Sequence, residues 1–177
     1  MPDLDPYSDR LARDIRNSLS TAFVEELTGK AQGALSGTAD AWLETVSASI
    51  YQAYIEDRMA LYRQAADEMK SGGIVDARYQ AICLWNLGLY FEMHELLETI
   101  WLRSRDPERS ALKGWIQAAG VYVHFRRGKK AVARSLAKRA AVYLNSGRDS
   151  LRFIANLDQI IDALSDPADT PPRIVPA

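Results

Sequence analysis

The sequence predicts an all-α protein, a compact antiparallel bundle of six to seven helices that includes two stacked helical hairpins. Three observations lead there. Apolar residues recur every three or four positions through nearly the whole chain, as one face of a helix requires. Glycine, asparagine and proline punctuate the chain at intervals suited to helices joined by short turns. No run of strand period occurs. At 177 residues the chain can bury a core without a metal or disulfide staple. Its single cysteine, Cys83, excludes a disulfide framework and a cysteine-based zinc knuckle.

The elements follow in order. Ser8 is placed to cap a first helix in which Leu11, Ile15, Leu19, Phe23 and Leu27 recur every four residues, with Gly29 ending it. Residues 28–38 read as a flexible, glycine-rich connector. A long helix over Ala39 to Lys70 presents Trp42, Val46, Ile50, Ala53 and Tyr54 on one face and stops at Ser71-Gly72-Gly73. Its length exceeds the usual range, which suggests a break near Asp57. A third helix covers Asp76 to Leu87, Gly88 makes a tight turn, and a fourth covers Tyr90 to Arg103. Asp106-Pro107 restarts the chain, with Asp as cap and Pro at the first helical position, and this fifth helix runs to Gly128. A sixth runs to Asn145, and a short one lies within Ser150 to Leu164. The last segment, DPADTPPRIVPA, is too rich in proline for a helix and must be extended, fraying or docking along a groove.

These elements divide the chain into an N-terminal helical arm (1–70), a hairpin core (71–165) and an extended tail (166–177). The apolar face of the arm needs a partner, so the arm is expected to pack on the core or to mediate a homodimer. Gly88 and Gly128 each join two helices and are followed by similar apolar offsets (Met93, Leu96 and Ile100; Ala133, Leu136 and Ala140), so residues 76–103 and 108–144 form related hairpins. The pattern is loosely similar to tetratricopeptide repeats, but two units fall short of the three or so that such arrays need.

Charge is uneven. Residues 1–70 hold 12 acids and 7 bases, whereas residues 126–139 hold seven bases and no acid. The basic block reads first as a solvated helix face and second as a phosphate or nucleic-acid footprint. No aromatic interleaves it to stack on bases, so nucleic acid is the weaker reading. The start, MPDLDPYSDR, has acids where a secretory signal would have bases, and no apolar run is long enough to span a bilayer. A cytoplasmic protein without membrane association is expected.

The chain has two histidines, His94 and His124, one in each hairpin. On a helical wheel Glu98 falls about 40° from His94, within a face shared with Phe91, Trp101 and Tyr90, while Glu92 faces away and Glu95 lies at the boundary. A carboxylate among aromatics needs a cation, a metal or good donors. On the fifth helix Gln117 falls near His124, on a stripe with Gly114 and Gly120 that would admit another helix closely. A buried ring of His94, Glu98 and His124, with Gln117 and Glu95 at its edge, could hold Zn²⁺, Mn²⁺ or Fe²⁺ and activate a bound water. The same residues also read as a hydrogen-bonded network that fixes the register of the bundle.

The stretches LWNLGLYFEMHELLETIW (84–101) and LKGWIQAAGVYVHFRRG (112–128) resemble the prokaryotic family called domain of unknown function 309. Gly88, Tyr90, Glu92, His94, Glu95, Glu98 and Trp101 match its first motif; Gly114, Gln117, His124, Arg127 and Gly128 match its second. The resemblance covers roughly residues 76–145 and implies a compact helical bundle and a "predicted metal-dependent hydrolase". Met93 departs from the small residue usual at that position, which should alter local packing and not the polar ring.

The leading expectation is a metal-dependent hydrolase of an unknown small substrate. His94, Glu98 and His124 would be ligands, Glu95 the general base, and Gln117 or Arg127 a contact to substrate or transition state. The rival is a non-enzymatic helical adaptor whose groove binds a peptide, its own tail included, with His94, Glu98 and His124 as a structural network.

Overall fold

The computed structural model describes residues 4–177 and is all-α among them, with eight α-helices, one 3-10 turn and no strand. The chain divides into two units, one ending at Gly73 and the other starting at Ile74.

The first unit has three helices, α1 (Arg10–Leu27), α2 (Ala34–Thr45) and α3 (Ser49–Ser71). Asp9, and not Ser8, caps α1: its carboxylate accepts from the Ala12 amide at 2.9 Å, while the Ser8 hydroxyl turns back to Asp5. Aspartate leaves Oδ2 free for a second acceptor role, and Tyr51 of α3 donates to it at 2.7 Å. Ile15, Leu19 and Phe23 line the buried face of α1, where the Phe23 ring stacks on Tyr62 of α3 with centroids 4.3 Å apart. The indole of Trp42 in α2 donates to the Ser18 hydroxyl of α1 at 2.6 Å.

Two expectations for this unit need correcting. Helix α2 starts at Ala34, inside the expected connector, because Glu26 reaches across to accept from the Leu35 amide at 2.9 Å and caps the new helix. The long helix is broken at 46–48, not near Asp57. Thr45, Val46 and Ser47 are poor helix formers. The Thr45 hydroxyl bonds back to the Ala41 carbonyl, Val46 and Ala48 adopt extended backbone, and the Gln52 amide takes the Val46 carbonyl. This break carries the helix count above the six to seven expected.

The second unit holds α4 (Ala77–Asn86), α5 (Tyr90–Trp101), α6 (Glu108–Arg126), α7 (Lys130–Ser146), a 3-10 turn at Arg148–Leu151 and α8 (Leu157–Ala163). The two expected hairpins are α4–α5 and α6–α7. Gly88 and Gly128 turn them with φ of +73° and +70°, a region costly for any residue with a Cβ. Asp76 caps α4 through the Arg78 amide. Asp106 takes both the amide and the hydroxyl of Ser110, so it closes the start of α6 from one residue further out than expected.

Helix α6 is the axis of this unit. Its contact with α5 is antiparallel: the Arg109 guanidinium lies over the Trp101 ring at one end, and Tyr122 meets Tyr90 at the other, 6.0 Å between centroids. Its contact with α7 is closer. A Cβ placed on Gly114 would lie 2.8 Å from the Leu144 backbone nitrogen, and one on Gly120 would lie 2.9 Å from Leu136. The glycine stripe of α6 is therefore the seat of α7, on roughly the opposite side of the helix from Tyr122. Trp85, Trp115, Leu84, Leu89, Leu96, Leu97 and Tyr122 are all fully buried. The tail docks and does not fray: Ile174 is buried, and a single antiparallel bridge joins Ile154 to Pro176.

Candidate metal centre

Helix α5 carries the candidate site, and its orientation decides the chemistry. Its core face is Met93, Leu96 and Leu97, each fully buried. On the wheel that face is centred about 120° from His94. Phe91 and Trp101, read from the sequence as part of a buried aromatic face, are only half-buried and form a rim. His94, Glu95 and Glu98 sit on this rim, with the His94 and Glu95 side chains 41% and 32% exposed. The expected buried site is thus a half-exposed one. Glu92, which the wheel set facing away from His94, does lie away from it and is the fully buried carboxylate of the helix.

One imidazole nitrogen and one oxygen each from Glu95 and Glu98 lie within 4.8 Å of one another. Positions i, i+1 and i+4 of a helix converge when the middle side chain bends back over the turn, and the 3.1 Å bond between Glu95 Oε1 and His94 Nδ1 holds it there. The Phe91 ring stacks beside His94 at 6.4 Å and covers one side of the group. The bond to Glu95 raises the pKa of His94 above the ordinary imidazole value, against the opposing effect of burial, and the charges of Glu95 and Glu98 add to it. The pocket is anionic.

His124 is not part of this group. It sits in the last turn of α6, where burial and then the charges of Arg127 and Lys129 lower its pKa, so its surroundings repel a cation. With Trp101 level with Arg109 and Tyr90 level with Tyr122, His94 stands level with Gln117; His124 is seven residues further along, about 10 Å of helix axis. Gln117 itself lies between Gly114 and Gly120, on the side of α6 that receives α7. Gln117 Oε1 and His124 Nδ1 are buried with no hydrogen-bond partner among the described residues. Arg127 follows α6 as its cap residue. The structure therefore brings together His94, Glu95 and Glu98, and leaves Gln117 and His124 on another face.

The donor set suits a divalent cation. Imidazole and carboxylate together favour Zn²⁺, Mn²⁺ or Fe²⁺, and metal–ligand distances of about 2.0–2.2 Å would draw the ligand atoms closer than the 4.8 Å within which they now lie. Three ligands from one helix leave the outer coordination positions to solvent.

Residues 79–136 match the family model described as domain of unknown function (DUF309), within the span that the sequence motifs indicated. This region contains most of α4, all of α5 and α6 and the first part of α7, and with them the whole His94, Glu95 and Glu98 group. Neither the curated proteins nor the solved structures gave a match.

Proposed function

We propose that the second unit binds a divalent cation through His94, Glu95 and Glu98 and serves as a metal-dependent hydrolase of a small substrate. The observation that carries this reading is the convergence of three ligand atoms within 4.8 Å on a half-exposed helix face. A bound cation would supply Lewis acidity and lower the pKa of a coordinated water. The chain's own part is simpler. Glu95 orients His94 through Nδ1 and is itself a ligand, which takes it out of the expected role of separate general base. Phe91 shields one side of the imidazole, while the exposed side of the rim admits water and substrate.

Thermal melting with added Zn²⁺, Mn²⁺ or chelator tests the reading. A ligand that binds only the folded state adds about 2.7 kcal/mol of stability at a hundredfold excess over its dissociation constant. The wild type should show that rise. Glu98→Gln, which keeps the shape and removes the charge, should show at most about half of it, since affinity weakened about tenfold or more leaves about 1.4 kcal/mol or less at the same metal concentration. His124→Ala should retain the full rise. Metal-loaded wild type should then hydrolyse activated esters or phosphoesters faster than Glu98→Gln does. A wild type whose melting ignores both metal and chelator ends the proposal.

A further inference from the structure

The C-terminal tail is held as a ligand would be held. From Pro171 to Ala177 it runs past the end of α4 and along residues 153–156, held by hydrogen bonds to its main chain. Asn86, the last residue of α4, grips both polar groups of Ile174: its amide nitrogen donates to the Ile174 carbonyl at 2.9 Å, and its oxygen accepts from the Ile174 amide at 2.8 Å. Asn156 grips the neighbouring residues in the same manner, donating to the Arg173 carbonyl at 2.9 Å and accepting from the Val175 amide at 2.8 Å. The Trp85 indole donates to the Pro172 carbonyl at 2.9 Å. Backbone of the groove completes the set, with the Ala155 amide on the Val175 carbonyl and the Ala177 amide on the Phe153 carbonyl.

Side chains contribute little by comparison. Ile174 is buried as an anchor and Pro171, three residues earlier, is also buried, while Arg173, Val175, Pro176 and Ala177 are exposed. A segment that merely completed a core would bury alternate side chains along its length. Here two carboxamides read an extended backbone, and one aliphatic side chain fills a pocket. Removing the segment would take main-chain partners from Asn86, Asn156 and Trp85 at once, and another extended backbone would restore all of them. This is peptide recognition through main-chain bonds with a side-chain pocket for selectivity.

We propose that the groove between Asn86 and Asn156 is a binding site for an extended segment of a partner protein, carrying proline three residues before a β-branched aliphatic anchor, and that the tail is its built-in competitor. The connection from Leu164 to Pro171 is short and mostly exposed. Such a tether gives the tail an effective concentration on the order of millimolar, so a partner gains access only when the tail is released. This inference is independent of the metal reading, since none of its residues belongs to the His94 group.

The test uses the full chain and a synthetic peptide of residues 170–177, TPPRIVPA. Ile174→Asp places a carboxylate in the anchor pocket and should free the tail. Calorimetric titration should show this variant binding the peptide one to one, at least about tenfold more tightly than the wild type does. Adding Asn86→Ala and Asn156→Ala should abolish that binding, as should an aspartate at the anchor position of the peptide. Hydrogen exchange on the wild type supplies a second measurement that needs no variant: peptide at several millimolar should speed exchange at the Ile174, Val175 and Ala177 amides. A folded Ile174→Asp protein that ignores the peptide overturns the proposal, and so does unchanged tail protection in the wild type. A wild-type dimer that the peptide dissociates would give the groove to the tail of a second copy, overturning the partner assignment.

Discussion

Glu108, at the start of α6, has two donors. Arg78 of α4 pairs with one carboxylate oxygen, and the Ser104 hydroxyl donates to the other at 2.9 Å. The Arg78 bond, with Ser104 assisting, lowers the Glu108 pKa below the ordinary glutamate value, against the effect of burial. A depressed carboxylate contributes stability that is present above its unfolded value, about 4.3, and is lost as pH falls through the lower folded value. Both side chains are about a third exposed, so solvent screens the pair and its worth is at most about 1 kcal/mol. Glu108→Gln should therefore lower stability near neutrality by no more than that and by progressively less below about pH 4. Paired denaturant titrations of wild type and variant at pH 3 and pH 7 check this; a deficit equally large at pH 3 would assign the effect to packing.

At the scale of elements, the glycine of the second unit with the least room for a side chain is Gly147, just past α7, against Ala111 in α6. A Cβ on Gly147 would run into the Ala111 methyl and lie 2.7 Å from its Cα. The neighbour is helix backbone, which cannot swing aside, and the φ of −97° at Gly147 is one alanine accepts without strain. Gly147→Ala should cost about 1–3 kcal/mol through overpacking alone, read as a fall of several degrees in melting temperature. The turns at Gly88 and Gly128 and the restart of the chain at Asp106-Pro107 were legible in the sequence because each depends on local chemistry, although Asp106 stands one residue outside the expected cap position. The break at 46–48 was not, since it is completed by the Gln52 amide from the following helix. Nor was the rotation of α5. A wheel orders residues around an axis but does not say which side meets the neighbours, and two large aromatics drew the core face toward His94. The His94–Glu98 pairing survived that error because i, i+4 adjacency belongs to the helix itself. The inclusion of His124 did not, because it needed the relative rotation of α5 and α6. Asn86 and Asn156 carried no signal, being seventy residues apart and meeting only through the tail.

On the scale of the whole chain, the division between the two units falls in an exposed segment. Ser71, Gly72, Gly73, Val75 and Asp76 are exposed, and the Val75 side chain is the most exposed large hydrophobic group described. Brief digestion with a broad-specificity protease should make its first internal cut within 71–76, ahead of any cut inside a helix, as mass spectrometry of the fragments would show. An earlier cut within α3 would mean that this helix opens more readily than the connector. The bases of 126–139 share an exposed face: Lys129, Lys130, Arg134, Lys138 and Arg139 are exposed, while Ala133, Ala137 and Ala140 turn inward. No helix among the described residues is long and apolar enough to cross a membrane.

The indole of Trp85 ties the core of the second unit to its tail. It is 1% exposed, lies edge-on to Tyr90 and Tyr122 at 5.4 Å each, and donates its single proton to Pro172. An indole so enclosed emits at short wavelength, and the loss of its cover lets water relax around the excited state and moves the emission to the red. With Trp42, Trp101 and Trp115 replaced by phenylalanine, the emission of Trp85 becomes an optical gauge of whether the tail is seated, with no dye attached, and it follows events that begin about ninety residues away in sequence.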